Sequence, residues 1–190
     1  RFNSFIGSLA GFTETGGSYS TGVGYGALYT QNVNGDAHNT AVGYTAGVAI
    51  TTGIRNVLLG SAAGDALTDA DFNIAVGSKA LGADTLGSAS VAIGHGALEV
   101  QNFTTATTSY NVAVGHNAGV AVSTGIQNTL IGAVAGDALT QGARNTALGY
   151  LSLSSDTLGQ YAVALGYSAL ASQNFTTATN NYNIGIGYNA

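Results

Sequence analysis

Apolar and polar positions follow one short phrase that this chain writes eleven times: Asn, any residue, a small residue, an aliphatic, Gly, two variable residues, Ala. The phrases begin at Asn3, Ser20, Asn39, Asn56, Asn73, Ser90, Asn111, Asn128, Asn145, Ala162 and Asn183. Their fourth position is always Ile, Val or Leu, from Ile6 to Ile186. In the phrase at 39–43, Thr40 and Val42 fall on one side of an extended chain and Ala41 and Gly43 on the other. The second position is Ser, Thr, Val or Ile throughout, and the third is Ala or Gly apart from Phe5, Leu58 and Leu130. Each phrase therefore predicts a short strand with one bulky, β-branched face and one face small enough for close backbone approach. Neither face reads as solvated, as expected of a strand covered on both sides.

The starts lie 17 residues apart, except for one step of 19 and two of 21. A fixed period of this length is the mark of a solenoid, in which each repeat buries its apolar side only against its neighbours. A strand of about five residues plus a turn, twice over, uses roughly 17 residues, one flattened turn of a β-solenoid. The expected fold is all-β, a parallel β-solenoid of eleven coils, about 50 Å long at one inter-strand spacing per coil. The coil interior covers one strand face. Further copies of the chain would cover the other, since the uncovered stripe exceeds what a soluble monomer exposes. Three chains about an axis, a homotrimer, is the favoured arrangement.

A longer period lies above the first. Residues 39–110 align without gaps on 111–182 with 41 of 72 positions identical, including "GDALT" at Gly64 and Gly136 and "QNFTTAT" at Gln101 and Gln173. Residues 1–38 and 183–190 are partial repeats of the same scheme. Residues 1–190 are read as a single solenoid segment of a longer repetitive fibre.

The fifth position is Gly every time: Gly7, Gly24, Gly43, Gly60, Gly77, Gly94, Gly115, Gly132, Gly149, Gly166 and Gly187. These are read as structural repeat positions, required for steric or conformational reasons. Asn opens eight of the eleven phrases. There it can satisfy local backbone groups, tolerate a left-handed conformation and form an amide ladder from coil to coil. Ala at position eight is read as core.

Composition narrows the function. Charged residues make up 7%, against about 25% in an ordinary domain, yet 45% of residues are apolar, which favours packing over disorder. The absence of Cys excludes disulfides and thiolate metal sites. No apolar run is long enough to insert into a membrane. A net charge of −5, with only Arg1, Arg55, Lys79 and Arg144 as cations, leaves no basic stripe for nucleic acid.

"NTAVGYTAG" at Asn39, "SVAIGHGAL" at Ser90 and "AVALGYSAL" at Ala162 resemble the head repeat of YadA-like trimeric autotransporter adhesins. The same phrase occurs in bacteriophage tail-fibre proteins. The resemblance covers all eleven coils. It implies a left-handed parallel β-roll, with three chains side by side or intertwined, on an extracellular appendage. The 17-residue step and the "QNFTTAT" insertion bring the chain closer to the phage fibres than to the adhesin heads. The expected role is thus a structural segment, shaft or head, of a virion tail fibre. The alternatives are an adhesin head on a bacterial cell surface and, third, a polysaccharide-degrading spike.

Position six varies, and stacked Tyr and His there suggest a recognition strip for a host-surface glycan or receptor, at Tyr44, His95, His116, Tyr150 and Tyr167. The competing explanation is that cross-coil aromatic pairs merely stabilise the sheet. His95 and His116 fall in consecutive coils without a third ligand type, so no metal site is read there. Asp65 and Asp137, like Asp84 and Asp156, stand four coils apart, too far for a glycosidase pair. The chain is read as not an enzyme, with no cofactor. The longer steps, at 29–38, 99–110 and 171–182, are expected to be repeated structural parts, with partner contact as the alternative.

Overall fold

The computed structural model describes residues 2–190, which form a single parallel solenoid without helices. Eleven three-residue strands occupy phrase positions two to four: β1 (Ser4–Ile6), β2 (Thr21–Val23), β3 (Thr40–Val42), β4 (Val57–Leu59), β5 (Ile74–Val76), β7 (Val91–Ile93), β9 (Val112–Val114), β10 (Thr129–Ile131), β11 (Thr146–Leu148), β13 (Val163–Leu165) and β15 (Ile184–Ile186). They build one 11-stranded sheet in chain order. Pairing is parallel and position for position, as in Ala41↔Leu58 and Ala92↔Ala113, so identical phrase positions stack into columns along the axis.

The expectation of two strands per coil is met only beside the longer steps. There β6 (Gly87–Ser88) pairs with β8 (Thr107–Thr108), and β12 (Gly159–Gln160) pairs with β14 (Thr179–Asn180). Elsewhere the remaining sides are turns, still tied coil to coil by bonds such as Leu28 N–H to Ala46 O at 3.1 Å and Thr30 N–H to Val48 O at 3.2 Å.

The small third-position residues point into the coil. Ala41, Leu58, Ala75, Ala92, Ala113, Leu130, Ala147 and Ala164 are fully buried, as are the eighth-position alanines from Ala27 to Ala169. The three large third-position residues fill space left by a glycine six positions later, just past the phrase. A side chain on Gly11 would run into the Phe5 ring, and one on Gly64 or Gly136 into Leu58 or Leu130. Where the third residue is Ala75, Ala92 or Ala147, a buried Leu81, Leu98 or Leu153 occupies that turn instead. Where both positions are small, as at Ala41 with Gly47, Leu28, Ile50 and Leu58 fill the space instead.

The invariant glycine has a steric cause. Gly43 has φ +148, and a β-carbon on it would overlap the carbonyl of Gly60 in the next coil. The same contact repeats from Gly7 to Gly166, so the column is a line of backbones in direct contact.

The asparagines form the expected ladder. Asn39 Nδ2 donates to Gly53 O at 2.7 Å, and its Oδ1 accepts the Asn56 N–H at 2.9 Å. Asn56 repeats this with Ala70 O and the Asn73 N–H, and Asn128 with Gly142 O and the Asn145 N–H. The side chains are buried yet saturated. The left-handed conformation expected of Asn belongs instead to the residue before it: Tyr19, His38, Arg55, Phe72, Ala89, Tyr110, Gln127, Arg144, Tyr161 and Tyr182 all have φ between 50° and 64°.

Candidate functional site

Two outward columns flank the strands. One is the sixth phrase position, just after the stacked glycines. The other is the corner residue before the phrase, which the left-handed backbone turns out to solvent.

The sixth-position residues are outward, as expected, but they do not make one site. Tyr44 stacks on Tyr25 at 5.5 Å between ring centroids, and His95 stacks on His116 at 5.3 Å. Tyr150, Tyr167 and Tyr188 form a third stack at 5.5 and 5.1 Å. Ser61, Ser78 and Ala133 separate these groups. Cross-coil stacking stabilises a sheet by a few tenths to about 1 kcal/mol per pair, whether or not a ligand is held.

Reading the sequence missed the corner column. Phe2 stacks on Tyr19 at 5.3 Å and Tyr19 on His38 at 5.1 Å. The Arg55 guanidinium carbon lies 5.4 Å from the Phe72 ring centroid, that of Arg144 lies 5.4 Å from Tyr161, and Tyr161 stacks on Tyr182 at 5.2 Å. A signal was present: the residue before the phrase is aromatic, His or Arg in nine of eleven coils.

The internal repeat separates scaffold from surface. Between residues 39–110 and 111–182 the third position is identical in all four coils, whereas the sixth differs in all four: Tyr44/His116, Ser61/Ala133, Ser78/Tyr150 and His95/Tyr167. In the corner column Arg55, Phe72 and Ala89 become Gln127, Arg144 and Tyr161, and only Tyr110 recurs, as Tyr182. Packing constrains the inward columns and leaves the outward ones free to diverge.

The "QNFTTAT" steps work inside the chain. Gln101 Oε1 accepts from Asn111 Nδ2 at 2.8 Å, while its Nε2 donates to Ser90 Oγ at 2.8 Å and to Asp84 Oδ2 at 2.6 Å. Asp84 Oδ1 accepts the Gly87 and Phe103 N–H groups, both at 3.0 Å. Gln173 and Asp156 repeat the arrangement, and Gln31 with Glu14 forms a variant of it. Phe103 is buried, whereas Thr104, Thr105 and Ala106 form an exposed tip.

Burial pushes the Asp84 carboxyl above its ordinary range, against the lowering effect of the Gln101, Phe103, Gly87 and Thr85 donors. Desolvation also raises Asp65 and Asp137. Asp65, Lys79 and Glu99 line a shallow groove in which Lys79 Nζ lies 3.4 Å from Glu99 Oε1. Their counterparts Asp137, Leu151 and Ala171 cannot repeat that ion pair. Among the described residues no cluster of three or more His, Cys, Asp or Glu side chains is placed to hold a metal ion.

Comparison of the chain with protein-family models, with curated proteins and with solved structures gives no match.

Proposed function

We propose that this chain is a structural segment, shaft or head, of a homotrimeric fibre in an extracellular attachment appendage, first of all a phage tail fibre. The observation that carries this reading is the outward stripe at phrase positions two and four. Val42, Ile93, Leu148 and Leu165 of the fourth-position column and Ile74 of the second-position column beside it are each 37–43% exposed, on strands whose other face is already packed. Burying a Val or Ile side chain fully is worth about 1.5–3 kcal/mol, so covering the exposed part over eleven coils strongly favours association. Cyclic symmetry closes the stripe, and three left-handed rolls about one axis is the arrangement that the resemblance implies. A head domain of a bacterial trimeric adhesin would use the same stripe. The full-length gene product separates the two, since a virion-attachment domain belongs to one and a stalk with a membrane anchor to the other.

Sedimentation of the purified chain at micromolar concentration tests the assembly. The expected species is a trimer, dissociated by Ile93→Asp combined with Leu165→Asp. A wild-type chain that remains a folded monomer would overturn the reading.

A further inference from the structure

We infer that the corner column is a binding strip for a carboxylated polysaccharide lying along the solenoid axis. Among the described residues Lys79 is ion-paired with Glu99, while Arg55 and Arg144 have no carboxylate within salt-bridge distance. Both unpaired arginines fall in this one column, as does His38, in a chain whose net charge is −5. Each is seated on an aromatic ring of a neighbouring coil: Arg55 on Phe72, Arg144 on Tyr161, His38 on Tyr19.

The seating matters chemically. Stacking uses the face of the guanidinium and leaves its in-plane N–H donors free, the geometry that takes a carboxylate in two parallel hydrogen bonds. The ring beneath holds the side chain in place, which lowers the entropy lost on binding. Beyond each guanidinium the column continues in exposed aromatic side chains, Phe72 and then, past Tyr161, Tyr182, whose outward edges give apolar contact for the C–H groups of sugar rings. The two cations stand five coils apart, roughly 24 Å along the axis. A ligand meeting both must be an extended anionic chain. A polyuronate has a carboxylate on every residue, so one can reach each arginine without a fixed spacing while its sugar rings lie along the aromatic side chains of the column. A nucleic acid, bound chiefly through many phosphate contacts, needs a denser basic track. The column also diverges between the two 72-residue blocks at the coils bearing these arginines, where the buried third position does not.

The inference is independent of the fibre reading, and the test keeps the two apart. The oligomeric state of the full chain is measured first, and binding is then measured on whatever folded species is found. The probes are polygalacturonate, neutral dextran and single-stranded DNA at low salt. The expected result is saturable binding of polygalacturonate and not of dextran, weakened roughly tenfold by Arg55→Gln and again by Arg144→Gln. Phe72→Leu and Tyr161→Leu should weaken it less, and Lys79→Gln should leave it unchanged. Circular dichroism confirms that each variant is folded. Three results would overturn the inference: no polygalacturonate binding by the folded chain, equal binding of dextran or DNA, or wild-type affinity in the double arginine variant. A monomer that binds polygalacturonate would sink the fibre reading and leave this one standing.

Discussion

Gln101 joins two systems that neither of its neighbours connects: its Nε2 donates to the buried Asp84 carboxylate at 2.6 Å while its Oε1 takes the Asn111 amide that begins the next ladder. The asparagine ladder reaches Ser90 and stops, because Ser90 carries no amide to pass on. The wider step supplies Gln101 to restart it.

Gln101→Leu should therefore destabilise the solenoid by about 2–4 kcal/mol, because it strands a buried carboxylate oxygen and leaves Asn111 Nδ2 with Gly125 O as its one remaining acceptor. Urea unfolding would register this as a lowered midpoint. Thr105→Ala, on the exposed tip of the same step, should change the midpoint little. Equal effects would mean that the tip, not the splice, carries the structure.

The Asp84 carboxyl is raised by burial, so the folded state favours its neutral form more than the unfolded chain does. That contribution to stability is fully present below the unfolded aspartate pKa and is lost as pH rises through the folded value. Asp65 and Asp137 act in the same direction. Stability should thus increase as pH falls from about 7 through the raised Asp84 value toward the ordinary aspartate pKa of about 4, and the increase should shrink in Asp84→Asn. Urea midpoints at the two pH values decide it; a fall in the wild-type midpoint would contradict the burial argument.

Glycine and the left-handed corners respond oppositely to substitution. Gly43→Ala forces a β-carbon into the Gly60 carbonyl and should cost well over about 2 kcal/mol. Gln127 has φ 60° without needing its β-carbon there, so Gln127→Gly should be neutral or stabilising by up to about 1 kcal/mol. Thermal melts of the two variants provide the comparison.

Leu58 and Gly64 share one volume, as the overlap of a Gly64 β-carbon with Leu58 Cδ2 requires. Leu58→Ala should cost about 2–5 kcal/mol through an unfilled cavity. Gly64→Leu alone should be destabilising through overpacking and left-handed strain. Together they place Ala and Leu where the next coil has Ala75 and Leu81, with Leu67 rather than Asp84 as the remaining neighbour of that β-carbon. The double variant should then cost less than the sum of the singles, a coupling that a double-mutant cycle measures.

The fold was legible in the sequence because one constraint recurs eleven times. A glycine that must let two backbones touch, an alanine that must fit inside a narrow coil and an asparagine that must bridge to the next turn leave the same mark at the same spacing. That periodicity determines the number of coils, the parallel register and the columns. It also marked the sixth-position residues as outward. What the sequence did not reveal depends on distances between coils. The second strand expected in each coil is mostly absent, because turns can satisfy their backbone groups with the coil above without extended geometry. The exceptions Phe5, Leu58 and Leu130 make sense only once the glycines opposite them are placed. The corner column lies one residue outside the phrase, so no pattern claimed it. Its stacks exist because a left-handed backbone turns each side chain outward at a single coil spacing, which brings Arg55 over Phe72 and Arg144 over Tyr161 from 17 residues away. Sequence periodicity determines what must lie inside; only the tertiary structure decides which outward residues meet.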